Sequence, residues 1–162
     1  MAQRVSTSLD TNGYGETVAL KIFTIGYEKT TQPELVAALQ AAGVKRVIDV
    51  RAVPLSRKPG FSKNVLKNGL AEAGIDYVHL KALGTPPAGR EAARKGRHEE
   101  LATIYAGQLD LPEAIVAAAE MRALAAERPS ALLCFERNPA VCHRSLLLAS
   151  VAGGAEVVDL FA

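Results

Sequence analysis

Cysteine, net charge and long apolar runs are all scarce in this sequence of 162 residues. Two cysteines are too few for a disulfide framework, so we expect a reducing, cytoplasmic compartment, where each cysteine is core filler or chemically active. Residues 1–20 carry no apolar run, which argues against a signal peptide or membrane anchor there, and we expect a flexible leader. The net charge of +2 is too small to indicate nucleic-acid binding by itself. These shortages favour a soluble protein without a membrane partner.

The composition is otherwise that of an ordinary globular protein. Apolar residues make up 49% of the chain and charged residues 22%, which is far from the composition of disordered proteins. A chain of 17.1 kDa is large enough for one hydrophobic core and too small for two well-formed ones. We therefore expect a single α/β domain over residues 21–162, after the leader at 1–20.

Short β-prone segments alternate with amphipathic ones along the chain. Strands are predicted at residues 21–25, 44–50, 77–80, 131–135 and 157–160. Helices are predicted to begin at the N-cap residues Thr31, Ser62, Asp110 and Asn138. Residues 81–108 are polar and rich in Pro and Gly, which indicates a long excursion from the sheet, helical around 99–105. The alternation predicts an α/β fold, a three-layer α/β/α sandwich with a mostly parallel sheet of about five strands.

Polar residues follow several of these predicted strands. In an open parallel sheet, ligands bind outside the carboxyl ends of the strands. That rule brings together residues from four strands: Gly26, Asp49, Arg51, His79, Cys134 and Glu136. Each of them alone is more often structural, since charged residues commonly serve in ion pairs, but their shared position predicts a site at this rim of the sheet.

The two cysteines have different surroundings in the sequence. Cys142 lies near the predicted start of the last helix and beside Arg144, so the helix dipole and the guanidinium both favour a thiolate. Cys134 lies in the apolar segment ALLCF, which is typical of a buried, unreactive cysteine. The sequence therefore predicts Cys142 as the more reactive cysteine, acting as a nucleophile or redox thiol.

A metal site is an alternative use of the same region. The candidate ligands are Cys134, Glu136, His79, Cys142 and His143. Their spacing is unfavourable, because no C-x-x-C pair exists and neighbours in a helix point about 100° apart. Cys142 and His143 are therefore not expected to share an ion. A single metal ion stays open as a cofactor.

Positive charge is concentrated in one stretch of the chain. Residues 50–71 contain no Asp or Glu and five cations: Arg51, Arg57, Lys58, Lys63 and Lys67. The later excursion adds Arg90, Arg94, Lys95 and Arg97. A nucleic-acid-binding module that uses residues 51–67 and the loop at 90–97 is therefore the rival hypothesis. A solvated basic face is the simpler interpretation, because few aromatic residues accompany the cations.

Several short motifs resemble one family. They are TIGYE at 24–28, DVR at 49–51, PLSR at 54–57, YVHL at 77–80 and CFERNPAVCHR at 134–144. On these motifs the sequence resembles the domain of unknown function 488 family over roughly residues 21–160. The resemblance implies a compact three-layer α/β fold and a prokaryotic source, with no general activity attached to it.

The leading hypothesis is an enzyme-like site for a small anionic or nucleotide-type ligand, or for a single metal ion. The predicted catalytic residues are Cys142 as nucleophile, His143 and His79 as proton carriers, and Glu136 and Asp49 as acids or metal ligands. The predicted ligand-binding residues are Gly26, Arg51, Ser56, Arg57 and Arg144, of which Arg51 and Arg144 are the anion anchors.

Overall fold

The computed structural model describes residues 20–162, in which helices and strands alternate except for three consecutive α-helices between the third and fourth strands. In order, the elements are β1 (Lys21–Gly26), α1 (Gln32–Ala41), β2 (Arg46–Asp49), α2 (Lys63–Glu72), β3 (Asp76–His79), α3 (Pro87–Arg94), α4 (His98–Leu109), α5 (Pro112–Glu127), β4 (Ser130–Cys134), α6 (His143–Val151) and β5 (Glu156–Leu160). Two short 3₁₀ helices, Lys81–Leu83 and Pro139–Val141, precede α3 and α6. The predicted leader falls almost entirely outside the described residues. Within residues 20–162, no helix combines the length and the apolar character needed to cross a membrane.

The five strands of this region form one parallel sheet in the order β3-β2-β4-β1-β5. Asp49 pairs with both His79 and Leu133, and Gly26 pairs with Cys134. The ends of β1 to β4 therefore lie at one rim, which confirms the predicted fold class and the predicted shared rim. The connection after β1 runs toward the β3 edge of the sheet, and the connection after the neighbouring strand β4 runs toward the β5 edge. Ligand sites of parallel sheets form where neighbouring strands connect in opposite directions in this way.

Helices cover both faces of the sheet and bury an apolar layer on each. Leu39 of α1 and Leu66 of α2 belong to one layer. The other layer contains Tyr105 of α4, Met121 of α5 and Leu147 of α6. Each fully buried large apolar side chain contributes about 1.5–3 kcal/mol, so the two layers hold the strands, and with them the rim, in fixed positions.

Thr31 and Ser62 are both N-cap residues, as predicted, but only Thr31 makes capping hydrogen bonds. The Thr31 hydroxyl accepts a hydrogen bond from the backbone N–H of Glu34, and the Glu34 carboxylate accepts one from the N–H of Thr31, which is a complete capping box. Ser62 occupies the N-cap of α2 but makes no capping bond. Its hydroxyl instead binds the backbone of Ser56, 3.0 Å from the amide nitrogen, and so closes the loop before α2.

The helix starts predicted at Asp110 and Asn138 are wrong by a few residues. Asp110 is the C-cap of α4, and α5 begins at Pro112. After Asn138 comes a 3₁₀ turn, and α6 begins only at His143, with Cys142 as its N-cap. A proline in a first turn suits 3₁₀ and α geometry alike, so the sequence did not separate the two.

Residues 81–108 are mostly helical rather than a loop. The helix expected around 99–105 is part of α4, whereas α3 was missed because its Pro and Gly residues indicated a loop. A Cβ atom on Gly89 would collide with the Thr85 side chain and lie tightly against Ile104 of α4, so a glycine suits this close packing. The segment is therefore a helical cover over the rim of the sheet.

Candidate functional site

A cavity of about 190 Å³ lies at the carboxyl ends of β1, β2 and β4. Its wall includes Tyr27, Arg51, Cys134 and Glu136 from the strand ends and His143 from the start of α6. Helix α3 supplies another part of the wall. The volume is below the roughly 300 Å³ at which pockets for drug-sized ligands begin, so the cavity suits a ligand of few heavy atoms.

Cys134 and Cys142 meet at this cavity. Cys134 ends β4, and residues 135–141 turn the chain back so that the two sulfur atoms join in a disulfide. Both side chains are buried, and of the two only Cys134 belongs to the cavity wall. This pairing was not predicted from the sequence, because Cys134 was expected in an apolar strand and Cys142 in a helix. We call Cys134, Cys142 and His143 the cysteine cluster.

Cys142 is surrounded by groups that stabilise negative charge on sulfur. Its Sγ accepts hydrogen bonds from the Arg144 backbone N–H at 3.5 Å and from Arg144 Nε at 3.3 Å. Burial lowers the pKa of Arg144 to about 10, which still leaves the guanidinium charged at neutral pH. Because Cys142 is also the N-cap of α6, its sulfur lies at the positive end of that helix.

His143 is buried with one ring nitrogen facing a carbonyl and the other facing sulfur. Nε2 lies 2.8 Å from the Val50 carbonyl, which accepts its proton, so Nδ1 carries the lone pair and lies 3.7 Å from Cys142 Sγ. Burial lowers the pKa of His143 to about 4. The expectation that Cys142 and His143 point apart is wrong, because Cys142 has extended backbone angles and precedes the helix.

Glu136 borders the cysteine cluster on the cavity side. Its carboxylate oxygen lies 3.6 Å from Cys134 Sγ, and burial raises the pKa of this carboxyl above its ordinary value. Its carbonyl accepts a hydrogen bond from Arg144 Nη2 at 2.5 Å. Gly26 lies directly against the same carbonyl, where a Cβ atom would overlap it, so a glycine at the end of β1 allows this loop to approach.

A second group of polar residues lies beside the cavity at the end of β2. We call Tyr27, Asp49, Arg51 and Tyr77 the aspartate cluster. The fully buried Asp49 carboxylate accepts hydrogen bonds from Arg51 Nε at 2.9 Å, from Arg51 Nη2 at 2.7 Å and from the Tyr77 hydroxyl. Arg51 Nη1 donates to the Tyr27 hydroxyl and to the Phe61 carbonyl. Burial by itself lowers the pKa of Arg51, but the hydrogen bonds and charge of Asp49 raise it above its ordinary value. Most Arg51 donors are therefore occupied within the protein.

Seven of the ten predicted site residues lie outside the cavity wall. Four of them, Gly26, Asp49, Cys142 and Arg144, belong to the groups described above, and the other three are His79, Ser56 and Arg57. His79 is half-buried at the end of β3, with Nε2 2.7 Å from the Arg51 carbonyl. Ser56 accepts a hydrogen bond from the Lys58 backbone in the loop after β2, and Arg57 is exposed in the same loop. The catalytic role of His79 and the ligand-binding roles of the other two stay predictions.

Two residues of the cavity wall were not predicted as contacts of a small ligand. Arg90 and Arg94 of α3 both belong to the cavity wall, together with Ala93. Arg90 is held by one hydrogen bond, from Nη1 to the Thr85 carbonyl at 2.8 Å, and Arg94 by an exposed pair with Glu91. The signal was their four-residue spacing, which places two arginines on one helix face, but it is visible only once the segment is known to be helical.

The family model described as Domain of unknown function DUF488 matches residues 31–151. The chain belongs to this family. The match begins at the N-cap of α1 and ends with α6, so it includes the aspartate cluster from Asp49 onward and the whole cysteine cluster. No curated protein and no solved structure matches the chain. Because the DUF488 description carries no activity, the function has to be argued from the site.

The cations of this DUF488 protein are divided among several places. Arg51 is buried in the aspartate cluster, whereas Arg57, Lys63 and Lys67 are exposed on the loop after β2 and on α2. The two arginines of α3 line the cavity instead. Residues 51–67 are therefore not a continuous run of free charges, and the nucleic-acid hypothesis stays a prediction.

Proposed function

We propose that this DUF488 protein is an enzyme that binds a small anionic substrate in the cavity and acts on it with the cysteine cluster and Glu136. The observation that carries the proposal is that one cavity of about 190 Å³ is lined by both arginines of α3 and by sulfur, imidazole and carboxyl groups. Reactive groups and charge anchors within one small pocket are the usual arrangement of an active site.

The arginines of α3 supply the attraction for an anion. Arg90 is half-buried and uses one nitrogen on the Thr85 carbonyl, which orients the guanidinium and leaves other N–H donors for a ligand. Guanidinium groups recognise carboxylate and phosphate oxygens through paired hydrogen bonds. Arg90 and Arg94 therefore take the anchoring role in place of Arg51, whose donors Asp49 and its neighbours occupy.

The opposite wall supplies acid–base and sulfur chemistry. Burial raises the pKa of Glu136 above its ordinary value, which favours the carboxyl as a proton carrier, and the lowered pKa of His143 keeps its imidazole neutral at neutral pH. Arg144 and the start of α6 stabilise a thiolate at Cys142, the predicted nucleophile or redox thiol, which reaches the cavity through its partner Cys134. Cys134 is the sulfur that faces the bound ligand.

Protection of Cys134 from alkylation tests the proposal. In reduced, chelator-treated protein, inorganic phosphate and adenosine monophosphate serve as the small-anion and nucleotide-type probes. We expect phosphate to slow the reaction of Cys134 with iodoacetamide several-fold, and the Arg90→Gln variant to lose that protection because the charge anchor is absent. Peptide mass mapping measures the labelled fraction over time.

The matched control is Arg128→Gln, which removes an exposed arginine that pairs with Asp76 outside the cavity and should leave the protection intact. Protection by neither probe, or equal protection in the Arg90→Gln variant, would contradict an anion site over the sulfur. Protection by adenosine monophosphate alone would assign the cavity to a nucleotide-type ligand.

A further inference from the structure

The three donor atoms of the cysteine cluster lie close enough together to bind one ion once the disulfide between the two sulfurs is reduced. Cys134 Sγ, Cys142 Sγ and one ring nitrogen of His143 all lie within 4.8 Å of one another. With zinc–sulfur bonds of about 2.3 Å and zinc–nitrogen bonds of about 2.0 Å, tetrahedral ligand atoms lie about 3.5 Å apart. The 3.7 Å between Cys142 Sγ and His143 Nδ1 is close to that edge length.

The groups around the donor atoms are those that orient metal ligands. The Val50 carbonyl accepts the Nε2 proton of His143, which fixes the tautomer with Nδ1 free to coordinate. Arg144 donates to Cys142 Sγ from its backbone and its side chain, as outer hydrogen bonds do for metal thiolates. Partners of this kind commonly surround metal-bound imidazole and sulfur.

The backbone spacing also suits an ion between the sulfurs. The Cα atoms of Cys134 and Cys142 are 7.6 Å apart, beyond the roughly 4.4–6.8 Å usual for disulfides. Two sulfurs on one tetrahedral zinc lie about 3.8 Å apart, which spans a wider backbone gap than a direct bond. In addition, two buried thiolates repel each other, and a divalent cation neutralises them.

We propose that the reduced protein binds one Zn²⁺ through Cys134, Cys142 and His143, with the fourth coordination position open to the cavity. Sulfur and imidazole donors favour zinc over magnesium or calcium, and three protein ligands with one open position are typical of catalytic zinc. The disulfide and the zinc site are alternative states of the same two sulfurs, because a disulfide sulfur has no thiolate to coordinate with.

The zinc site deepens the proposed function and rests on it for the anion held above the ion. Glu136 lies in the same cavity wall, and a zinc ion bound beside it would act as a Lewis acid that polarises an oxygen of the anion held by Arg90. In this state Cys142 is a ligand, which gives its buried, charge-stabilising surroundings a use without direct access to the cavity.

Metal content and cobalt substitution test the site. Protein purified with a phosphine reductant and no chelator should contain one equivalent of zinc by mass spectrometry. Replacement by Co²⁺ should give an intense thiolate-to-cobalt absorption band together with the visible bands of tetrahedral cobalt. Cys134→Ser, Cys142→Ser and His143→Gln should each weaken Co²⁺ binding by at least about tenfold.

Two controls keep the test independent of misfolding. His98→Gln, at an exposed histidine of α4, should bind Co²⁺ as the natural sequence does. The oxidised natural protein needs no substitution: its disulfide should prevent Co²⁺ binding, and reduction should restore it. Reduced protein without zinc and without a thiolate band, or serine variants that bind Co²⁺ normally, would overturn the site. Zinc binding without phosphate protection of Cys134 would instead overturn only the anion pocket.

Discussion

The aspartate cluster and the cysteine cluster lie side by side at the same rim, yet they use buried polar groups in opposite ways. In the aspartate cluster, Asp49 faces Arg51 and Tyr77, and each donor has an acceptor within the protein. In the cysteine cluster, reduction of the disulfide leaves Cys134 Sγ, Cys142 Sγ and His143 Nδ1 as electron-pair donors grouped in one place. The hydrogen-bonding groups of the aspartate cluster all have partners, whereas the donor atoms of the reduced cysteine cluster have electron pairs available to a cation.

The comparison separates stability from chemistry. A buried carboxylate with satisfied partners holds the backbone at the end of β2, and through the His143 bond to Val50 that backbone also fixes the imidazole. Once its disulfide is reduced, the cysteine cluster contributes little to folding unless a cation binds, because its buried donors lack partners. In the reduced protein, changes in the aspartate cluster should therefore alter the free energy of unfolding, while changes in the cysteine cluster should alter sulfur reactivity.

The largest expected effect is that of Asp49→Asn. The substitution keeps the size of the side chain but leaves the buried Arg51 guanidinium without its counter-charge. Removing one partner of a buried ion pair costs about 3–5 kcal/mol of unfolding free energy. Urea unfolding followed by circular dichroism measures the change.

Asp110→Asn, at the exposed C-cap of α4, is the matched control and should change the unfolding free energy only slightly. A loss below about 1 kcal/mol for Asp49→Asn would show that the ion pair is not what stabilises this part of the rim, and the comparison would then fail.

An intermediate effect is expected for Tyr77→Phe, which removes the hydroxyl that donates to Asp49. A hydrogen bond to a charged group contributes about 1.5–3 kcal/mol. Burial, followed by the Asp49 carboxylate, raises the pKa of Tyr77 above its ordinary value. Above about pH 10 the unfolded chain loses this proton while the folded chain keeps it, so stability falls as the pH rises.

Unfolding experiments from neutral pH to above about pH 10 measure this dependence, which Tyr77→Phe should reduce. Burial also raises the pKa of Tyr105, so part of the alkaline loss should persist in that variant and disappear only when Tyr105→Phe is added. An unchanged alkaline profile in the Tyr77→Phe variant would contradict its assignment to the aspartate cluster.

The rim could be predicted from the sequence because it depends on short-range patterns. Apolar, β-branched segments end in a polar residue at Asp49 and His79, and parallel strands bring their carboxyl ends together. The same logic placed Cys134 and Glu136 correctly along the chain. Each strand and the polar residue at its end can be recognised from a few neighbouring residues. Such short segments were enough to predict this part of the fold.

Which residues line the cavity depends on packing between distant segments, which the sequence pattern does not show. Pro87 and Gly89 indicated a loop, yet one starts α3 and the other packs it against α4, so the arginines of α3 were not expected at the site. Likewise, whether Cys142 stands inside a helix or before it depends on how residues 139–141 turn. That single difference decides whether His143 faces the same point as the sulfur.

The smallest expected effect, about one pH unit or ~1.4 kcal/mol, distinguishes the two cysteines within their own cluster. In reduced, chelator-treated protein, we expect Cys142 to react with iodoacetamide at a lower pH midpoint, because Arg144 donates to its sulfur. Cys134 should have the higher midpoint beside the Glu136 carboxyl, and the faster limiting rate at high pH because it faces the cavity.

Timed alkylation at several pH values, followed by peptide mass mapping, separates the midpoint from the limiting rate. Arg144→Lys keeps the positive charge but loses the Nε donor, so it should move the Cys142 midpoint toward that of Cys134. Arg137→Lys changes an arginine in the same loop that bonds to Ala162 instead of sulfur, and it should move neither midpoint. If Cys134 reacts first at every pH, the positive end of α6 and Arg144 do not control sulfur reactivity, and Cys142 loses its assignment as the activated thiol.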